Sequence, residues 1–180
     1  MLYGAPTARR RDAQRNRAAI VLAANEVLAG SDAVAPIPEI ARRAGVGQAT
    51  LYRHFADRNA LTAAVIEYQL ERLEEAAASL AGEPDGFRRL LHAVLHNQMT
   101  MRGLVTLVRR LDPATQERYR LRAVAALTGP MLRARELGNI RPDLKPADIS
   151  LLFVMVQGVG TAPSDADRAI ALVLDGICRP

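Results

Sequence analysis

The amino-acid sequence predicts an all-α protein of about nine helices, and three observations carry that reading. Apolar residues recur at i, i+3 and i+4 in one segment after another, as in Ile20, Ala23, Ala24, Val27 and Leu28, while no segment shows the period-two alternation of a strand. Aromatic residues make up only 4% of the 180 residues and Trp is absent, so the core must be built mostly from Ala, Leu and Val, of which the first two favour helix. The punctuation between periodic segments is that of helix ends: glycine after a last turn, proline or a capping carboxylate before a first one.

This length has room for one large or two small domains. The clearest break in pattern is Gly82-Glu83-Pro84-Asp85-Gly86. The expected organisation is an N-terminal arm and three-helix domain over residues 1–57, followed by a helical domain over 58–180 that is entered through a connecting helix, 58–81. Charge is uneven across this division. Of the net +5, residues 1–63 hold +4, with nine Arg against five Asp and Glu. That asymmetry fits a nucleic-acid-binding head on a body with some other partner. The chain has 23 Arg and a single Lys, Lys145, so a general bias toward arginine also contributes, and charge alone does not decide the matter.

A lone cysteine, Cys178, leaves no internal disulfide and fits a reducing compartment. The N-terminus, MLYGAPTARRR, lacks the apolar core of a signal peptide, and the densest apolar run, Leu151 to Val156, is too short to span a bilayer. The expectation is a soluble, cytoplasmic protein with no membrane partner.

Residues 1–11, ending in Arg9, Arg10 and Arg11, read as an irregular arm. The first helix is expected over roughly 12–29, closed by Gly30-Ser31-Asp32. Pro36 and Pro38 bracket the entry to a second helix, where proline is tolerated because first-turn amides have no partner anyway. Ile37, Ile40 and Ala41 give that helix one apolar face. Gly45 then supplies the positive φ with which a chain leaves a last helical turn, and Val46 plugs the turn. Gly47 opens a short third helix, Gln48 to about Phe55. Leu51 and Phe55 point inward, which puts Ala49, Tyr52 and Arg53 on the outer arc with Gln48 and Thr50 at its edges.

Two short helices joined this tightly make a helix–turn–helix, whose second helix enters the DNA major groove with its N-terminal residues at base edges. Gln48 suits adenine bidentately, Arg53 suits guanine, and Thr50 suits several bases or a phosphate. Tyr52 and His54 suit phosphate oxygens, which position a protein without reading sequence. Arg15 and Arg17 are further candidates for the backbone, and the arm's arginines would add salt-dependent phosphate contacts.

The string AGVGQATLYRHFADRNAL resembles the DNA-binding signature of the TetR family of bacterial transcriptional regulators. Ala44-Gly45-Val46, Thr50-Leu51-Tyr52, and His54-Phe55 ahead of a basic residue carry the likeness. It implies that Gly47, Gln48, Ala49, Thr50, Tyr52, Arg53, His54 and Arg58 form the contact set for double-stranded DNA. Three departures bear on operator choice. Pro38 stands where some relatives carry a base-contacting polar side chain, Gly47 replaces a Ser or Thr cap, and Arg58-Asn59 replaces a lysine followed by an acidic residue. Arg58, with Asp57 as the cap of its helix, keeps a positive charge for a phosphate.

The remaining elements follow the same logic. A fourth helix over about 58–80 sets Leu61, Val65, Tyr68, Leu73 and Leu80 against Glu67, Glu71, Glu74 and Glu75. A fifth, from near Asp85, sets Phe87, Leu90, Leu91, Val94, Leu95 and Gln98 against Arg89, His92 and His96. His92 and His96 are four apart, a spacing that can share a metal, but no third ligand stands nearby. A polar surface or pocket edge is the better reading, and neither metal nor cofactor is expected. Gly103 is expected to break the chain before a short helix over 104–111. Asp112-Pro113 opens a seventh helix that reaches Leu137, stops at Gly138 and is expected to kink at Gly129-Pro130. Its arginines (118, 120, 122, 133 and 135) read as a solvated face. Pro146 opens an eighth helix that Thr161-Ala162-Pro163 should end, and Ser164 with Asp167 resembles a capping box for a ninth.

A single short recognition helix gives limited base contact, and two-fold pairing doubles it while fixing half-site spacing. The TetR likeness implies a homodimer formed by the last two helices of each subunit. The interface candidates are Leu152, Phe153, Val156, Ile170, Val173, Leu174 and Ile177. It also implies a small-molecule effector held by the segment from the fifth helix to the seventh, with Met99, Arg102, Val105, Tyr119, Phe153 and Gln157 as pocket candidates. The expected function is a dimeric repressor that binds a palindromic operator and is released by its effector. The alternative is an activator, or a regulator that answers to a protein partner. No glycine-rich phosphate loop, nucleophile elbow or metal cluster points to an enzyme.

Overall fold

The computed structural model describes residues 5–29, 36–159 and 162–179. Among the described residues it contains nine helices: α1 (Ala5–Leu28), α2 (Ile37–Arg43), α3 (Gln48–His54), α4 (Arg58–Ser79), α5 (Gly86–Thr100), α6 (Arg102–Val108), α7 (Pro113–Glu136), α8 (Pro146–Gln157) and α9 (Pro163–Ile177). The sole extended pairing among them is an isolated antiparallel bridge between Ile140 and Cys178. No described helix is long and apolar enough to cross a membrane.

The chain divides into two compact units. The first runs to Tyr68 and takes in Met101–Arg110; the second comprises Gln69–Thr100 and the chain from Leu111 onward. In the first unit α1 packs against α2, α3 and α6, and α2 packs against α3. Ile20, Ala24 and Val65 are completely buried there. The periodicity of α1 thus places its apolar stripe as expected, but its start does not follow the sequence reading. Residues 5–11 are helical rather than an irregular arm. Alanine and arginine are good helix formers, and Asp12 pairs with Arg15 one turn on. The first four residues of the expected arm lie outside the described residues, as does the Gly30-Ser31-Asp32 stop.

The expected break at Gly103 is a second correction. The chain breaks at Met101 (φ −95°, ψ 42°), and Gly103 is a buried residue inside α6. The preceding helix is ended locally, where the Thr100 hydroxyl donates to the carbonyls of His96 and Asn97 at 3.0 and 3.2 Å.

In the second unit α5 packs against α7, α8 and α9, and α8 touches both α7 and α9. Leu91, Leu95, Leu127, Met131 and Ile149 are fully buried at its centre. Asp112 caps α7 as its position suggested, accepting the Thr115 N–H at 2.9 Å, and the Thr115 side chain, then that N–H, hold its carboxyl below the ordinary range. Pro130 sits within one continuous helix. Gly86 opens α5 under a close approach, since a Cβ built there would lie 2.2 Å from the Leu80 carbonyl oxygen. The half-buried Arg122 grips Glu74 bidentately at 2.6 and 2.9 Å, and Arg88 reaches Asp175 at 2.9 Å. Arg122 therefore departs from the solvated face expected of the α7 arginines.

Two helix ends also differ from the sequence reading. The Ser164–Asp167 capping box does not form, because α9 already begins at Pro163 with Ala162 as its N-cap, which puts Ser164 inside the first turn. The eighth helix ends at Gln157 with Gly158 as its C-cap, ahead of the expected stop, and Thr161 lies outside the described residues. Cys178 is buried, and burial pushes its thiol up.

Candidate nucleic-acid interface

The geometry of the first unit is set by how α2 ends. Gly45 sits at φ +67°, where its N–H donates to the Arg42 carbonyl at 3.2 Å and the Val46 N–H donates to the Ala41 carbonyl at 3.0 Å. This paired closure satisfies the last carbonyls of α2 with main-chain donors alone, and it requires the left-handed backbone that glycine adopts at no steric cost. Two residues later the Gly47 carbonyl accepts from the Thr50 and Leu51 N–H groups at 2.9 and 3.1 Å, and no side chain caps α3. The helix is held instead from below. Leu51 and Phe55 are 1% and 3% exposed, and the Arg17 guanidinium lies over the Phe55 ring, 5.1 Å from its centroid.

With its inner side so anchored, α3 turns the other residues outward. Gly47, Gln48, Ala49, Tyr52 and Arg53 are exposed, while Thr50, His54 and Arg58 are half-buried. Arg53 Nη2 donates to Thr50 Oγ1 at 2.7 Å, so the two base-reading candidates are already in register in the free protein. Asp57 caps α4 by accepting the Ala60 N–H at 2.7 Å, which fixes Arg58 in the first turn. Arg15 and Arg17, expected as backbone contacts, already have partners inside the unit, Asp12 and the Phe55 ring.

One cluster on α2 escaped the sequence reading. Glu39 receives Arg42 Nε and Nη2 and Arg43 Nε, each at 2.8 Å. The bonds from Arg42 and then Arg43 lower its carboxyl from an ordinary 4.5 to about 2. The signal was present in the spacing, since a glutamate three and four residues ahead of two arginines places all three on one helical face.

The second unit holds the remaining site candidates, apart from Arg102 and Val105, which belong to the first unit and are half-buried there. Met99 and Phe153 lie in one buried cluster. Tyr119 is also buried, with the Arg118 guanidinium 5.2 Å from its ring centroid. Gln157 is partly buried and its Nε2 donates to Gln98 Oε1 at 3.1 Å. His92 and His96 are exposed on α5 with parallel rings 6.1 Å apart, and no group of three or more His, Cys, Asp or Glu side chains among the described residues could hold a metal.

Leu152, Phe153, Val156, Ile170, Leu174 and Ile177 are between 1% and 8% exposed and form the core of the single chain, with Val173 half-buried against it. The apolar residues of α8 and α9 that remain uncovered are Leu151, Val154, Met155 and Leu172. Helix α8 is apolar on opposite sides, so its periodicity marks two stripes without saying which one faces the core.

A short helix anchored by two buried residues behind a tight turn, with amide, hydroxyl and guanidinium groups outward, defines a helix–turn–helix DNA-binding protein. Comparisons with known proteins agree. Residues 20–65 match the family model of the bacterial regulatory proteins, tetR family. The TetR transcription regulatory protein from Mycobacterium vanbaalenii is 29% identical, with 94% of this chain and 99% of that one covered and a TM-score of 0.72. A TetR transcriptional regulator from Streptomyces coelicolor is likewise 29% identical, covering 90% of this chain and 98% of its own, with a TM-score of 0.72. The gamma-butyrolactone receptor described as ArpA-like shares the fold at 22% identity, with 93% and 90% covered and a TM-score of 0.56. No curated protein matches the chain. The chain is thus similar along most of its length to TetR transcription regulators, and its residues 20–65 match the model of that family.

Proposed function

We propose that this regulator is a homodimeric repressor that binds a palindromic operator through α3 and is released by a small-molecule effector. The observation that carries the reading is the outward face of α3: Gln48, Ala49 and Arg53 exposed, Thr50 at its edge, and nothing but Leu51 and Phe55 committed to the core. Gln48 and Arg53 supply the bidentate chemistry for adenine and guanine, with Thr50 beside them. Tyr52, His54 and Arg58 supply phosphate contacts, and Gly47 leaves room for the DNA backbone at the helix start. The proposed reading head is residues 1–57 and the proposed dimerisation and effector body is 58–180.

Dimerisation is supported by the uncovered apolar stripe of α8, where Leu151, Val154 and Met155 are 61%, 69% and 60% exposed, together with Leu172 of α9. Water-exposed side chains of this size at i, i+3 and i+4 gain about 1.5–3 kcal/mol each when fully buried by a second surface. The effector reading is supported by the gamma-butyrolactone receptor of the same fold and by a polar pair, Gln98 and Gln157, set beside the apolar Met99 and Phe153. Tyr119 of the same unit remains a candidate for the same role.

Selection of duplexes from a random pool tests the operator, and light scattering tests the dimer. The expected results are an inverted repeat and a mass of two chains. An asymmetric selected site, bound by a monomer, would refute the two-fold reading. Transcription in vitro from a promoter overlapping the selected site separates a repressor, which lowers output, from an activator, which raises it.

A further inference from the structure

The helix ahead of the reading helix carries two cations, and one carboxylate holds both. Arg42 and Arg43 stand in the last turn of α2, immediately before the turn that leads to Gly47 and α3. Their side chains are 72% and 42% exposed, and that of Glu39 is 31% exposed. Arg42 presents Nε and Nη2 to the two carboxylate oxygens in the parallel, two-bond arrangement, at 2.8 Å each, while Arg43 Nε shares Oε1 at 2.8 Å. In a helix–turn–helix the first helix crosses the DNA backbone, so the phosphates lie along the helix that bears this cluster. A phosphate offers a guanidinium the same pair of oxygens that a carboxylate does. The two acceptors therefore compete for the same N–H groups.

We infer that Glu39 is an internal competitor of the DNA phosphates: it withholds Arg42 and Arg43 from the backbone of non-cognate duplex and thereby sets the ratio of specific to non-specific affinity. The inference rests on α3 being the helix that faces DNA. Non-specific binding is almost wholly electrostatic, and each phosphate neutralised adds about 0.9 to the slope of log K against log salt. Withholding two arginines lowers that slope by up to about 2 and weakens the hold on arbitrary sequence. Base-edge contacts from Gln48, Thr50 and Arg53 draw on neither arginine, so specific recognition is spared. An exposed ion pair contributes little to folding, and here its effect is on what the arginines are free to bind.

The test measures the affinity of the full chain for a short non-palindromic duplex by fluorescence anisotropy, from about 50 to 200 mM salt. Glu39→Gln is expected to steepen the slope by about 1–2 and to raise affinity at the lowest salt roughly tenfold. Glu26→Gln removes the same charge from an exposed position on α1 and leaves the slope unchanged. Adding Arg42→Ala and Arg43→Ala to Glu39→Gln returns the slope to that of the wild type. An unchanged slope in Glu39→Gln overturns the inference. So does a loss of about 2 in slope when both arginines are removed from the wild type, since that would show them already on phosphates. A wild type that binds neither this duplex nor any selected site overturns the DNA-facing reading of α3, and this inference with it.

Discussion

The two units differ most in what they leave uncovered. The first buries Leu51 and Phe55 and shows solvent Gln48, Tyr52 and Arg53; the second buries Leu152, Phe153 and Val156 and shows solvent Leu151, Val154 and Met155. A polar, cation-bearing face is complementary to a hydrated polyanion and stays exposed without cost until it meets one. An apolar face of three adjacent residues is complementary only to another apolar surface and draws the chain into association. What each unit exposes therefore matches the counterpart proposed for it: DNA for one, a second copy of the chain for the other.

Substitutions can break this contrast, the largest expected effect coming first. Val154→Asp places a charge on the uncovered stripe of α8. It is expected to yield a folded monomer by light scattering and to weaken operator binding by about a hundredfold or more, because a single recognition helix then acts alone. An unchanged mass and affinity would mean that this stripe is not the partner surface. Gly86→Ala drives a Cβ against the Leu80 carbonyl and is expected to destabilise the second unit by about 2–3 kcal/mol in a denaturant titration. If operator base preference shifts as well, the division of labour between the units is not as drawn.

Smaller effects sharpen the reading face itself. Arg53→Ala is expected to cost about 1–2 kcal/mol in operator binding and to relax preference at one base pair per half-site, as read from a second round of selection. Thr50→Val removes the hydroxyl that orients Arg53, with a milder loss at the same base pair that Thr50→Ser restores. The gentlest is a dependence on pH. Glu39 and Asp112 both have folded-state carboxyls below their ordinary values, through bonds from the side chains of Arg42 and Thr115 respectively. A lowered carboxyl contributes stability that is present above its unfolded value and lost as pH falls through the folded one. Thermal midpoints should hold level down to the ordinary 4.5 of Glu39 and then decline toward about 2, the decline being shallower in Glu39→Gln.

The first unit was legible in the chain because everything that shapes it is close in sequence. Gly45, Val46 and Gly47 determine the turn, and Leu51 with Phe55 determines which way α3 faces, all within eleven residues. The second unit depends on which of two apolar stripes on α8 meets α5, α7 and α9. That choice is made by residues far along the chain, and no local period records it. Hence the interface candidates named from the pattern lie in or against the core of the single chain, while their neighbours one position away lie uncovered. The reach of α1 back to Ala5 was missed for a related reason, because an arginine-rich segment carries no apolar stripe for periodicity to detect.

The closure of α2 at Gly45 and Val46 uses main-chain groups only. No side chain from 47 to 50 or at 53 takes part in it, and none is needed to cap α3. Presentation and content are thereby separated: the backbone sets the angle at which the reading helix is offered, and the outward side chains set what is read. On the proposed reading, Gln48, Ala49, Thr50 and Arg53 form a cassette that can be rewritten for a different operator without rebuilding the scaffold that holds it.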